Sequence, residues 1–205
     1  MTNTQAPKEP VNTPADQNRP LTEKDWDRTS PIETTYDVKS KGRDPRWGSG
    51  SYLVHPKTGV ELFARERNTN NQTEAETYIR EAQKRKNVHA IGLATLHDYS
   101  VKIVSSFCSK NFRITEYWDA STHDLEQAVK KRLDKNSNFN DKELTYMLYN
   151  TTHGLAALND NSLNHGDISP LYIDIGKDGS DQDYRLVDPA NRQAKIAQTT
   201  YNNLS

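Results

Sequence analysis

The sequence predicts an α+β domain over residues 47–205, preceded by an extended polar arm over residues 1–46. Two observations support this fold class. Strand-like segments come before and after the predicted helices instead of alternating with them, which is typical of α+β proteins. The composition also changes near residue 47, because six of the nine prolines precede it and the regular apolar spacing follows it. The chain is therefore expected to contain one folded domain and one segment of different character.

The first predicted elements of the domain are a β-hairpin and a helix. Residues 51–54 and 60–65 have strand composition, and residues 56–59 between them have turn composition, because proline pre-sets φ and glycine supplies a positive φ. The pattern Thr73-Glu74-Ala75-Glu76 resembles a capping box and predicts a helix to about residue 86. Two β-rich segments follow, at residues 93–107 and 112–117.

Two helices and a second hairpin complete the predicted domain. Residues 121–133 carry apolar side chains at helical spacing. Asn140, followed three residues later by Glu143, is a typical beginning of a second amphipathic helix. Residues 172–175 and 184–187 are predicted to pair as a short hairpin.

Residues 1–46 have a polar composition without helical or strand periodicity, and their acidic and basic residues balance. Such a segment buries too little apolar surface to offset an ordering cost of roughly 1–2 kcal/mol per residue. Two interpretations remain open: a disordered leader, or an extended arm that lies on a partner. For the arm, we expect Trp26, Ile32, Tyr36 and Trp47 to anchor the contact.

Composition excludes several classes of protein. No apolar run approaches the ~20 residues that cross a bilayer, and the first residues lack the features of a secretory signal. A single cysteine, Cys108, excludes an internal disulfide framework and a multi-cysteine zinc site. The net charge of -1 argues against non-specific nucleic-acid binding. We therefore expect a cytoplasmic protein that contacts neither nucleic acid nor membrane and holds no metal.

Residues 164–173, NHGDISPLYI, resemble the catalytic loop of the eukaryotic protein-kinase-like family in its H-G-D variant. A predicted amphipathic helix precedes this loop, and Asp188-Pro189-Ala190 follows it where the family has D-F-G. Upstream, residues 63–65 resemble the β3 A-x-K motif, and residues 112–118 resemble the hinge strand with Thr115 in the gatekeeper place. The chain ends at residue 205, so the resemblance implies a protein-kinase-like N-lobe plus the first half of a C-lobe.

The resemblance implies roles for six residues. In the family, a β3 lysine contacts the phosphates and is braced by a glutamate of helix C, while two aspartates act as catalytic base and metal ligand. By position, Asp167 matches the base and Asp188 the metal ligand, and Arg65 and Glu76 match the lysine and its glutamate. A helix cap is the alternative role for Glu76. Thr115 and Glu116 match positions that border the nucleotide.

Several matching positions carry residues unsuited to phosphoryl transfer. Arg65 presents a planar guanidinium where the family uses a compact ammonium. Tyr172 stands in the asparagine position, and a phenol cannot replace an amide oxygen on Mg²⁺. Ser169 replaces the lysine of the catalytic loop, and Pro189 fixes φ where D-F-G needs a hinge. The resemblance thus points to a degenerate member, a pseudokinase without a cofactor.

These observations predict a catalytically inactive structural or scaffolding component of a large intracellular assembly. An extended arm of 46 residues at ~3.3 Å each could span on the order of 150 Å, which suits a protein filament. We therefore expect protein partners in the cytoskeleton, with the tubulin lattice and axonemal proteins of the cilium as candidates. The alternatives are an active atypical protein kinase and an ATP-binding regulatory module, both of which would use ATP and Mg²⁺ through Asp167 and Asp188.

Overall fold

The computed structural model describes residues 19–44, 46–106, 109–120, 123–175 and 184–187, and these residues form an α+β fold as predicted. In chain order the elements are α1 (Glu23–Trp26), α2 (Ile32–Thr35), β1 (Asp37–Asp44), β2 (Gly48–Val54), β3 (Glu61–Thr69), α3 (Gln72–Lys86), β4 (Leu96–Ser106), β5 (Ser109–Asp119), α4 (Leu125–Asp134), α5 (Asp141–Asp160), a 3-10 turn (Pro170–Tyr172), β6 (Ile173–Ile175) and β7 (Tyr184–Leu186). None of the helices in the described part of the chain has the length and apolar character needed to span a membrane.

The main sheet has five antiparallel strands in the order β1-β2-β3-β5-β4. The predicted hairpin of residues 51–65 is confirmed as β2 and β3. Its turn closes with a 2.8 Å hydrogen bond from the His55 amide to the Val60 carbonyl, and Gly59 has a positive φ of 70°. Helix α3 connects β3 to β4 and packs on one face of the sheet.

Capping residues set where the long helices begin. The Asn140 amide and side chain form a capping box with Glu143, with hydrogen bonds of 2.7 and 2.9 Å, as the sequence predicted. For α3 the cap differs from the prediction. The Asn71 side chain accepts hydrogen bonds from the Thr73 and Glu74 amides, so the helix begins at Gln72, one turn before Glu76. Glu76 therefore has no capping role.

Three apolar clusters hold the fold together. The largest lies between the sheet and α3 and includes Trp47, Phe63, Ile79, Val101, Ile114, Trp118 and Val187. The second joins α4 and α5 to the hairpin formed by β6 and β7 and includes Leu125, Leu158, Leu163, Ile173, Tyr184 and Leu186. The third, on the outer face of the sheet, contains Leu53, Leu62, Ala64 and Tyr117.

The structure corrects the expectation of a separate arm over residues 1–46, because residues 19–44 belong to the folded domain. Strand β1 pairs with β2 along its length and forms one edge of the sheet. Trp26 packs on Phe112 with ring centroids 5.1 Å apart. Arg28 and Val101 exchange backbone hydrogen bonds of 3.0 and 2.8 Å. The contacts of Trp26 and Arg28 join residues more than 70 positions apart, so no local periodicity in the sequence indicates them.

The four predicted partner anchors also pack against their own domain. Trp26 lies against the cluster beneath α3, and Ile32 and Tyr36 lie against the cluster on the outer face of the sheet. Trp47 is only 1% exposed and belongs to the core. Residue 47 therefore does not separate an arm from a domain.

Candidate functional site

A cleft of about 480 Å³ lies where the β1–β2 turn and β3 face the 3-10 turn. It is lined by Arg43, Trp47, Gly48, Ser49, Arg65, Glu66, Arg67, Asn68, Tyr78 and Tyr172. Two positions singled out by the kinase resemblance, Arg65 and Tyr172, meet here. The cleft is therefore the place to test whether the predicted chemistry is present.

Arg65 is placed by the alternation of side chains along β3. Successive residues of a strand point to opposite faces, so Phe63, Arg65 and Arg67 share the face that α3 covers. Arg65 lies directly across from Glu116 in the ladder between β3 and β5. Its Nε donates a 2.6 Å hydrogen bond to Glu116 Oε2, and the Arg65 side chain is only 2% exposed.

Glu116 is the centre of this buried cluster. It accepts a 3.1 Å hydrogen bond from the indole Nε1 of Trp118, and Arg67 Nε lies 3.5 Å from its other oxygen. Burial by itself raises the pKa of the Glu116 carboxyl, but the charges of Arg65 and Arg67 outweigh burial and hold the pKa below its usual range. Glu116 is therefore a charged partner of the two arginines.

The predicted contact between Arg65 and Glu76 is not formed. Helix α3 buries the stripe Ala75-Ile79-Ala82, and the glutamate that reaches β3 from one flank of this stripe is Glu81, with Oε2 3.6 Å from Arg67 Nη1. Glu76 lies on the opposite flank and accepts a 3.3 Å hydrogen bond from Gln72. The strand-to-helix ion pair is thus Arg67 with Glu81, which the sequence analysis missed although Arg67 follows Arg65 at strand spacing.

Thr115 does not take the gatekeeper place. It pairs with Glu66 and Ser100 in the sheet, on the face opposite to Arg65. The residue directly across from Phe63 is Trp118, which is 1% exposed and belongs to the core beneath α3. The β5 residue that packs behind Trp47 on the Arg65 face of the sheet is therefore a tryptophan and not Thr115.

Trp47 lines the inner end of the cleft and packs on two aromatic side chains behind it. The Trp47 ring lies 5.2 Å from Trp118 and 6.0 Å from Phe63, measured between ring centroids. The guanidinium carbon of Arg65 lies 5.6 Å from the Trp47 ring centroid and 5.1 Å from that of Trp118. Both indoles thus lie within cation–π range of Arg65, which favours a buried guanidinium.

Arg46, next to Trp47, links the sheet to the second hairpin. It is 4% exposed, and its Nη2 and Nη1 lie 3.0 Å from Asp44 and 3.3 Å from Asp174 on β6. The Tyr52 hydroxyl donates a 2.8 Å hydrogen bond to Asp44. Burial and this contact with Asp44 raise the pKa of Tyr52 to about 12, while the hydrogen bonds and charge of Arg46 outweigh burial and lower the pKa of Asp44. The β1–β2 turn is therefore fastened to β6.

The H-G-D segment forms a loop between α5 and the 3-10 turn. The Asp167 side chain is exposed, whereas His165 is buried and its Nε2 donates a 3.0 Å hydrogen bond to the Val187 carbonyl. The Val187 amide in turn donates a 2.9 Å hydrogen bond to the Tyr172 carbonyl. Burial, followed by the charge of Asp167, raises the pKa of Tyr172. Asp188 lies outside the described residues.

A metal centre is not evident in the described ranges, where no three His, Cys, Asp or Glu side chains converge. No protein-family model and no curated protein matches the chain. The interpretation of the cleft therefore rests on its own residues.

Proposed function

We propose that the protein is a non-catalytic, kinase-like protein that acts through protein contacts as a structural or scaffolding component. The connectivity supports a kinase-like body. Arg65 lies on a central strand, a glutamate-bearing helix packs beside that strand, and the H-G-D loop follows a long amphipathic helix and precedes a hairpin. These are the elements on which the family carries its lysine, its helix C glutamate and its catalytic loop.

One observation carries the non-catalytic part of the proposal: the arginine of the cleft is already buried and neutralised by a carboxylate. Phosphoryl transfer depends on a strand lysine that directs its charge toward the phosphates. Arg65 is 1% exposed, is bonded to Glu116 and lies beside two indoles that pack on each other. Moving this guanidinium toward a ligand would take from the buried Glu116 carboxylate the nearer of its two arginine partners, which costs free energy because the charge stays buried.

Two further features point the same way. Trp47 lines the cleft and packs on Phe63 and Trp118 behind it, so a planar base that entered more deeply would have to displace packed aromatic rings. Tyr172 stands where an amide oxygen would hold Mg²⁺, and a phenol is a poor substitute for a carboxylate or amide ligand. Asp167 retains the carboxylate that its position requires, and it is exposed.

The proposed partners are proteins, but residues 19–44 do not form an extended arm toward them, because they are folded onto the domain. The reach of about 150 Å that a fully extended 46-residue segment would have therefore does not apply. We therefore do not extend the proposal to microtubules or the axoneme.

Thermal unfolding of the purified chain with and without Mg-ATP tests the proposal. A ligand at a hundred times its Kd adds about 2.7 kcal/mol, which would raise the Tm by several degrees. We expect no shift with Mg-ATP and no phosphate transfer to the chain or to a generic acceptor. A clear Mg²⁺-dependent rise in Tm that Asp188→Asn removes and Asp160→Asn retains would contradict the proposal and favour the nucleotide-binding alternative.

A further inference from the structure

Strand β1 is an open edge of the main sheet. Seven of its eight residues are exposed, and only its last residue, Asp44, is buried. An edge strand directs every second N–H and C=O away from its neighbour, where another strand can pair with them. Within the described residues, no backbone hydrogen bond reaches this outer side of β1.

The opposite edge of the same sheet, strand β4, forms backbone hydrogen bonds with an earlier part of the chain. At β4, the backbone of Arg28 exchanges two hydrogen bonds with Val101, and the Arg28 side chain binds Asp98 at 2.6 Å. The described chain begins at Arg19, whose carbonyl accepts a 3.0 Å hydrogen bond from Arg80 on α3. The first described residues therefore lie beside α3 and the β4 edge, not at β1.

The β1 edge carries cations at strand spacing. A bulge between Val38 and Ser40 sets Lys39 apart, and Lys39 pairs with Glu61 at 2.6 Å. Beyond the bulge, Lys41 and Arg43 are two residues apart and project on the same face. Neither has an ion-pair partner among the residues that the structure describes. Between them, Gly42 leaves open space, since a Cβ placed there would meet nothing within 4 Å.

The charges of Lys41 and Arg43 determine which kind of strand can pair favourably with β1. If two copies of the chain paired antiparallel about Gly42, the Lys41 of each copy would lie across from the Arg43 of the other. Like charges directly opposite each other destabilise a strand pair, so a second copy is disfavoured. A strand with acidic side chains two residues apart would instead place opposite charges across from both cations.

We propose that β1 is a docking edge for an acidic, extended segment of a partner protein, which pairs with residues 40–43 and adds a sixth strand to the sheet. Backbone hydrogen bonds would supply the pairing, and Lys41 and Arg43 would select the acidic sequence. This edge adjoins the cleft, because Arg43 also lines the cleft, but pairing along β1 does not require a ligand in the cleft.

The test uses the full chain and a capped hexapeptide in which glutamate alternates with valine. We expect binding by calorimetry that weakens with added salt, and slower amide exchange at residues 40–43. Two forms of the peptide, N-methylated on one or the other set of alternate residues, separate strand pairing from simple charge attraction. The form that lacks the N–H groups facing β1 should lose binding. The form that lacks the N–H groups facing away from β1 should keep it.

Charge-reversed variants test the selecting residues. The double substitution Lys41→Glu with Arg43→Glu should weaken binding roughly tenfold, since two attractive cross-strand pairs become repulsive. The matched control, Lys57→Glu with Lys135→Glu, changes the net charge equally at exposed sites elsewhere and should bind as the unaltered chain does. Equal weakening in both variants, equal binding of both N-methylated peptides, or self-association of the chain through β1 would overturn the proposal.

Discussion

Replacing Trp47 with alanine tests how firmly the inner end of the cleft is filled. Trp47 is 1% exposed and packs against the rings of Phe63 and Trp118. Its side chain also covers one face of the Arg65 guanidinium. Trp47→Ala would therefore remove a complete indole from the core and open a cavity beside a buried cation.

The expected decrease in the free energy of unfolding follows from this packing. Truncating a buried tryptophan to alanine typically costs about 3–5 kcal/mol, because the transfer term and the cavity term add. Loss of the cation–π contact with Arg65 adds roughly 0.5–2 kcal/mol. For a chain of this size, a loss of that order lowers the Tm by about 10 °C or more. We expect the variant to retain its secondary structure below this lower transition.

Urea denaturation, followed by far-ultraviolet circular dichroism, measures the change in the free energy of unfolding. Trp26→Ala is the matched control, because Trp26 is only half buried and rests against Phe112 at the edge of the same core. That control should lose about 1–2 kcal/mol. If Trp47→Ala lost less than the control, or less than about 1 kcal/mol, the indole would not fill the cleft and the case against nucleotide binding would fail.

Three further predictions follow from other sites. Glu116→Gln should destabilise the chain by about 3–5 kcal/mol in urea titrations at pH 7, because it leaves buried arginines without their carboxylate. The pKa of Glu116 is lower in the folded chain than its usual value of about 4.5. The stabilisation that the charged carboxylate gives to the fold should therefore be complete above about pH 4.5 and decrease as the pH falls below that value. Gly92→Ala should be strongly destabilising, because φ is 82° and the new Cβ would lie 1.9 Å from the Asn150 carbonyl oxygen. Its control, Gly42→Ala, should change the midpoint of urea unfolding little, because a Cβ there meets nothing within 4 Å. Leu158→Ala should cost about 2–5 kcal/mol and Leu148→Ala, at a position that is 71% exposed, less than about 0.5 kcal/mol.

Local signals predicted much of the fold. The turn at residues 56–59 fixed the β2–β3 hairpin, and Asn140 with Glu143 fixed where α5 begins. Each of these features is determined by a few adjacent residues, so the local sequence is sufficient to predict it. Strand β1 was missed for the opposite reason. Its sequence, DVKSKGRD, is poor in strand-forming residues, and it becomes a strand because β2 offers a partner along its whole length.

The candidate site was predicted in part. Arg65 and Tyr172 do line one cleft, and the H-G-D loop lies beside it. The partners of Arg65 were not predictable from motif spacing, because a cross-strand neighbour such as Glu116 is fixed by the register of β3 with β5. Motif spacing also could not predict which glutamate of α3 faces β3. That depends on how far the helix is rotated about its own axis. Glu81 and Glu76 lie on opposite flanks of its buried stripe.

Arg46 and Trp47, adjacent in one short turn, have a consequence for how the molecule comes apart. Arg46 is bonded to β6, and Trp47 is buried beneath α3, so one short turn makes contacts with both layers. The sheet layer and the helical layer are therefore not independent folding units, and an intermediate with only one layer ordered would be poorly populated. Fluorescence of the tryptophans and circular dichroism of the helices should report one coincident transition, the signature of two-state unfolding.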